Sequence, residues 1–127
     1  MPRVMVVDDN DALRRSLRRL LEHNGYDVVE APNGRMALTA LRNHEFDVVI
    51  TDVFMPDTNG YQFVLEVRDV FPTLPIIMMS GGGRLGREPV LDAGAKLGAQ
   101  RLFKKPFKLE DMLEAVRKLS AKKHAGD

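Results

Sequence analysis

Asp8, Asp9, Asp52, Ser80 and Lys105 are the residues of this 127-residue sequence whose types, taken together, could do chemistry. Singly, each has an ordinary use: Asp8 and Asp9 can cap a helix, Asp52 can turn a loop, Ser80 can sit in a bend and Lys105 can be one more surface cation. Their positions argue for more. Asp52 closes a β-branched run, residues 48–51, and is followed by a loop containing Pro56, Asn59 and Gly60, so it stands at the carboxyl end of a strand of the kind buried on both faces. Asp8 and Asp9 close Val4-Met5-Val6-Val7, Ser80 closes Ile76-Ile77-Met78-Met79, and Lys105 closes a short run over 100–104. In an open parallel sheet the carboxyl ends of all strands face one edge, where ligands bind, and neighbouring strands are about 4.8 Å apart. Five polar side chains are thus brought within reach of a common point.

Three carboxylates so close repel one another, and a cation must offset them. Lys105 supplies one charge, and an all-oxygen donor set suits Mg²⁺ or Mn²⁺ and disfavours zinc. A strand-end aspartate in such a setting can attack a phosphoryl group to give an acyl phosphate, a transfer eased mainly by positioning and by cations on the phosphoryl oxygens. Asp52, being central, is the natural acceptor. Asp9 would hold the metal directly, Asp8 would support it or bind through water, and Lys105 and the Ser80 hydroxyl would hold phosphoryl oxygens.

The elements that must position these residues follow from the hydrophobic pattern. After the first strand, Asn10 or Asp11 can cap a helix carrying Leu13, Leu17, Leu20 and Leu21 at helical spacing, closed by Gly25. Arg14, Arg15, Arg18 and Arg19 take its other face; with no aromatic or further basic run beside them they read as a solvated face rather than a nucleic-acid surface. Residues 26–30 form a second strand, Pro32, Asn33 and Gly34 break the chain, and Met36, Ala37, Ala40 and Leu41 mark a short helix. From Asn59 a helix runs through Phe63, Val64, Val67 and Val70 until Pro72 ends it. A weaker helix follows Pro89, with Gly94 in its body at a cost of about 1 kcal/mol relative to alanine. Leu109, Met112, Leu113, Val116 and Leu119 form the last helical stripe, acidic early and basic late as the helix dipole prefers. Five strands alternating with five helices predict an α/β, doubly wound parallel sheet with helices on both faces.

Bulk properties exclude several classes. The length fits one domain, read as residues 1–121 with a short tail over 122–127. A formal net charge of +1 gives no general attraction to nucleic acid or to a membrane surface. The absence of cysteine removes disulfides, thiol catalysis and Cys-ligated metals. No apolar run reaches spanning length and the N-terminus passes directly into a strand pattern, so no membrane insertion, no signal peptide and a cytoplasmic location are expected. His23, His44 and His124 have no metal-ligand spacing and are given no role.

Val6-Val7-Asp8-Asp9, Asp52 followed by Met55-Pro56 and Gly60, Ser80, and Lys105-Pro106-Phe107 closely resemble the receiver domain of two-component response regulators, over essentially the whole chain. The resemblance implies a flavodoxin-like strand order 2-1-3-4-5 and phosphorylation of Asp52 by a phosphohistidine on a sensor histidine kinase or histidine phosphotransfer protein. It implies a Mg²⁺ site made of Asp9, Asp52 and the backbone carbonyl of Phe54 with Asp8 nearby, and a cis Lys105–Pro106 bond. The first helix is the expected docking surface for the donor. With no output domain following, a stand-alone regulator signalling through protein contacts is expected; shuttle, sink and effector-binding switch are equally compatible with the residues.

Three features depart from the usual receiver pattern. Leu102, not an aromatic residue, stands three positions before Lys105, and Phe103 should face the opposite side of its strand. The segment from Ser80 to Lys105 is about three residues longer than usual, with the extra length in the loop over 81–86; that loop and the helix carrying Gly94 are expected to hold most of the conformational change. Phe54 and Gly82, two beyond the acceptor and two beyond the hydroxyl residue, carry no polar group to orient an attacking water, so a comparatively long-lived phosphorylated state is expected.

Other readings are weaker. Residues 81–86 match G-x-G-x-x-G, but after the fourth strand, with basic residues where a ribose-binding acid should follow. A phosphatase or mutase working through an aspartyl phosphate commonly places a second acid two residues after the nucleophile, where Phe54 stands, and no cap segment is visible. The reading is therefore a self-modifying switch, not a turnover enzyme, and the complete acidic set argues against a module that signals without phosphorylation.

Overall fold

The computed structural model describes residues 1–53, 60–81 and 98–125. Strands β1 (Arg3–Val7), β2 (Asp27–Ala31), β3 (Val48–Asp52), β4 (Ile76–Gly81) and β5 (Arg101–Lys105) form one all-parallel sheet in the order β2-β1-β3-β4-β5. The described helices are α1 (Asp11–His23), α2 (Gly34–Asn43), α3 (Gly60–Val70) and α4 (Leu109–Ala125). The expected strand order and doubly wound character are both present. The helix expected after Pro89, and all of the Gly-rich loop past Gly81, lie outside the described residues. α4 continues to Ala125, through most of the stretch read as a tail.

Alternation along each strand builds two cores. Val4, Val6, Val48, Ile50, Ile77, Met79 and Phe103 point to one face, where they meet Leu17 and Leu21 of α1 and Met112, Ala115 and Val116 of α4. Met5, Val7, Val49, Ile76 and Met78 point to the other, against Ala37 and Leu41 of α2 and Phe63, Val64 and Val67 of α3. A strand covered on both faces can carry apolar side chains at every position, which is why these runs are continuous rather than alternating.

Local chemistry sets the helix ends. The Asn10 side chain accepts from the Leu13 N–H at 3.1 Å to start α1, and Asn33 accepts from Met36 at 2.9 Å to start α2. At the end of α1, Gly25 adopts φ +90°, with its N–H on Glu22 O at 3.2 Å and that of Tyr26 on Leu21 O at 3.0 Å, a Schellman motif. Two of the apolar residues that mark these helices are 54% exposed: Met36 lies off the buried stripe of Gly34, Ala37 and Leu41, and Val70 sits at the last turn of α3.

Candidate functional site

The strand register brings the polar residues to one edge. Val7 pairs with Thr51, Asp52 with Met79 and Gly81 with Lys105, so Asp8, Asp52, Ser80 and Lys105 occupy the carboxyl ends of β1, β3, β4 and β5. Asp8, Asp52 and Ser80 are buried, and Asp9, one residue further on, is exposed. Carboxylate oxygens of Asp8, Asp9 and Asp52 lie within 4.8 Å of one another. Lys105 Nζ is 3.1 Å from Asp8 Oδ2 and 3.5 Å from Asp52 Oδ2. The Lys105–Pro106 bond is cis, as the resemblance implies.

The environment of Asp52 works against its charge. Burial pushes its carboxyl from 3.8 up to about 6; Lys105 opposes the rise, Asp8 adds to it, and bonds from Lys105 and from the Val53 N–H, 3.0 Å from Oδ1, limit it. The Ser80 hydroxyl is buried with no hydrogen-bond partner among the described residues. A buried hydroxyl left unpaired is costly, and one at a ligand-binding edge is free to meet a ligand oxygen. Three carboxylates, with no histidine or cysteine in the group among the described residues, fit a hard divalent cation such as Mg²⁺. Phe54, whose carbonyl the resemblance adds to this set, lies outside the described residues, as does Gly82.

Gly60 shows how closely the chain folds over β3. A Cβ there would stand 2.6 Å from Val53 Cα and overlap the Val53 carbonyl, which accepts the Gly60 N–H at 2.9 Å. The first turn of α3 is thus pressed onto the residue after Asp52, and only glycine fits.

On β5, Phe103 belongs to the core under α1 and α4, while Leu102 packs partly buried on the α2 and α3 side. The aromatic ring therefore faces away from the position that Leu102 holds, as alternation requires. Phe103 packs against Phe107 in a tilted arrangement, with centroids 5.4 Å apart and the planes at 57°, and the Arg101 guanidinium lies 5.3 Å from the Phe103 ring centroid.

The basic face of α1 is more differentiated than its composition suggests. Arg15 and Arg19 are exposed, but Arg14 is pulled in against Asp11, Glu30 and the Asp8 carbonyl, and Arg18 pairs with Glu22 and Glu30. Glu30, an acid set within the apolar run of β2, was the available signal.

Fold and site together define a doubly wound α/β protein with its chemistry concentrated at the carboxyl edge of the sheet. Residues 4–117 match the response regulator receiver domain, and the chain belongs to that family, the receiving half of two-component systems. It is 38% identical over 117 residues to the response regulator MprA of Mycolicibacterium vanbaalenii, covering 92% of this chain and 49% of that protein. The chain thus spans about half the length of the curated relatives it matches. Among solved structures, chemotaxis protein CheY4 of Vibrio cholerae superposes with a TM-score of 0.84 at 33% identity, covering 94% of this chain and 98% of that one. A CheY-like receiver domain protein from Methanospirillum hungatei reaches a TM-score of 0.91 over 100% and 99% of the two chains, at 24% identity, and shows the fold alone. No helix among the described residues is long and apolar enough to cross a membrane.

Proposed function

We propose that Asp52 accepts a phosphoryl group from a phosphohistidine on a sensor histidine kinase or histidine phosphotransfer protein, and that the modified chain signals through altered protein contacts in the cytoplasm. The observation that carries this reading is the buried Asp52 carboxyl facing Lys105 Nζ at 3.5 Å, within a set that includes Asp8 and Asp9. In the transfer, an Asp52 oxygen forms a bond to phosphorus as the phosphorus–nitrogen bond of the donor breaks. The electron pair leaves on the imidazole nitrogen, which is then protonated. Lys105 meets charge on the phosphoryl oxygens, and the Ser80 hydroxyl donates to one of them, gaining a partner it lacks among the described residues.

Asp8, Asp9 and Asp52, with the Phe54 carbonyl implied by the resemblance, would hold Mg²⁺, which supplies further positive charge at the phosphoryl oxygens when bound. The protein turns over no external substrate; it catalyses its own phosphorylation and the slow loss of the group. The residue types at Phe54 and Gly82 support a long-lived phosphorylated state. For the donor, the exposed stripe of α1 with Arg15 and Arg19 is the docking surface, since Arg14 and Arg18 are already ion-paired within the chain.

Intact mass after incubation with acetyl phosphate and Mg²⁺ tests the reading. Wild type gains one phosphoryl group, a chelator prevents the gain, and Asp52→Ala shows none. A wild-type gain that persists in Asp52→Ala contradicts it.

A further inference from the structure

Arg14 has a place in the site that its sequence context does not announce. Its side chain is 11% exposed, and the guanidinium donates in three directions: Nη1 to the Asp8 carbonyl at 2.7 Å, Nε to Glu30 at 3.0 Å and Nη2 to Asp11 at 2.6 Å. Asp8 is held at its N–H, at its carbonyl and at both oxygens of its carboxylate. Its N–H donates to Ala31 O at 3.1 Å, Arg14 holds its carbonyl, the Asn10 N–H donates to Oδ1 at 2.9 Å and Lys105 meets Oδ2 at 3.1 Å. Glu30 anchors the far side of the guanidinium and also accepts from Arg18 at 2.8 Å. Burial pushes the Glu30 carboxyl up, but the bonds from Arg18 and Arg14 outweigh it and hold the group below its ordinary 4.5.

We propose that Arg14 is a positioning residue for the acidic site: by tying the Asp8 carbonyl to Glu30 of β2, it sets the β1–α1 junction so that Asp8 and Asp9 present their carboxylates together with Asp52. This rests on reading those acids as a divalent-cation site. Arg14 and Arg18 share Glu30, yet only Arg14 reaches Asp8, so the two have different tasks. The sign of the effect separates positioning from simple charge. Removing a cation beside three carboxylates leaves a more negative site and, on charge alone, tighter metal binding. Losing a positioning partner weakens binding, by roughly 10-fold or more for groups that orient ligands from the outer shell.

The test titrates Mn²⁺ into wild type, Arg14→Met, Arg14→Lys and Arg18→Met, with free ion followed by electron paramagnetic resonance well below each variant's Tm. Arg14→Met keeps the aliphatic stem and is expected to bind roughly 10-fold more weakly. Arg14→Lys keeps the charge but cannot span the Asp8 carbonyl and Glu30 together, and weakens binding too. Arg18→Met binds as wild type or slightly more tightly. Unchanged or tighter binding by folded Arg14→Met, or equal weakening by Arg18→Met, overturns the proposal while wild-type binding leaves the site reading intact. If Arg14→Met does not fold, Arg14→Lys decides: wild-type affinity overturns the proposal and weaker binding supports it. A wild type that takes up no Mn²⁺ removes the site reading and this inference with it.

Discussion

Asp52 is a carboxyl placed where burial and a neighbouring acid both work against its charge, and that conflict is measurable. Its rise from 3.8 to about 6 means that the folded state binds this proton more tightly than the unfolded chain does. Stability associated with the group is therefore fully present below 3.8 and is lost as pH rises through about 6. A rise of this size corresponds to about 3 kcal/mol. Metal-free Asp52→Asn should accordingly be more stable than wild type at pH 7, by up to about 3 kcal/mol. The two should converge toward pH 4, and urea denaturation across that range checks both statements. Lower stability of the variant at pH 7 would mean that Lys105 and the Val53 N–H outweigh burial. The acids, Ser80 and Lys105 were legible in the sequence because strand-end placement can be read from apolar runs. Arg14 was not, because its decisive acceptor is a backbone carbonyl, which no residue type reveals.

Among the elements, the junction of β3 and α3 and the turn before β4 carry constraints of different kinds. At Gly60 the limit is space: Gly60→Ala pushes a methyl group into the Val53 backbone. Such overpacking costs about 1–3 kcal/mol, and here it also displaces the residue that follows Asp52. Chemical denaturation should show the loss, and phosphorylation by acetyl phosphate should slow in the same variant. At Arg68 the matter is hydrogen bonding. Its guanidinium donates to the carbonyls of Phe71, Pro72, Leu74 and Gly98 and to Gln100 Oε1, tying the end of α3 to the start of β5, and burial lowers its pKa. Arg68→Ala leaves those carbonyls without this donor and should lower stability by about 1–3 kcal/mol, read as a drop in Tm. A neutral result would show that water replaces the guanidinium. Strands were legible from apolar and β-branched runs and the start of α1 from Asn10 and Asp11, whereas Asn33, read only as a chain break, is the residue that caps α2. Met36 and Val70 helped to mark their helices, yet apolar type alone did not give burial: both are exposed, and Gly34, Ala37 and Leu41 are what seat α2. Arg68 left no trace in the pattern, since its partners lie up to 32 residues away.

For the molecule as a whole, a sheet covered on both faces makes a sound scaffold, with the unfavourable charge gathered at one edge. Met78, fully buried at the centre of β4, should cost about 2–5 kcal/mol when replaced by alanine. The acidic edge should respond to metal in the opposite sense. A cation that binds the folded chain alone stabilises it by about 2.7 kcal/mol at a hundredfold excess over Kd. Mg²⁺ is therefore expected to raise Tm in wild type and not in Asp9→Asn, with a chelator reversing the gain. An equal rise in both would place the ion elsewhere. The order of strands was legible only through the resemblance; alternation gave a parallel sheet but could not rank its neighbours, because pairing depends on contacts far apart in sequence.

The most direct measurement locates the phosphoryl group itself. An acyl phosphate on aspartate is reduced by borohydride to homoserine, so protein treated with acetyl phosphate and Mg²⁺ can be reduced, digested and sequenced by mass spectrometry. The account predicts homoserine at position 52 in the treated protein and aspartate there in the untreated control. Homoserine at position 8 or 9, or none in a chain that has gained a phosphoryl group, would contradict it.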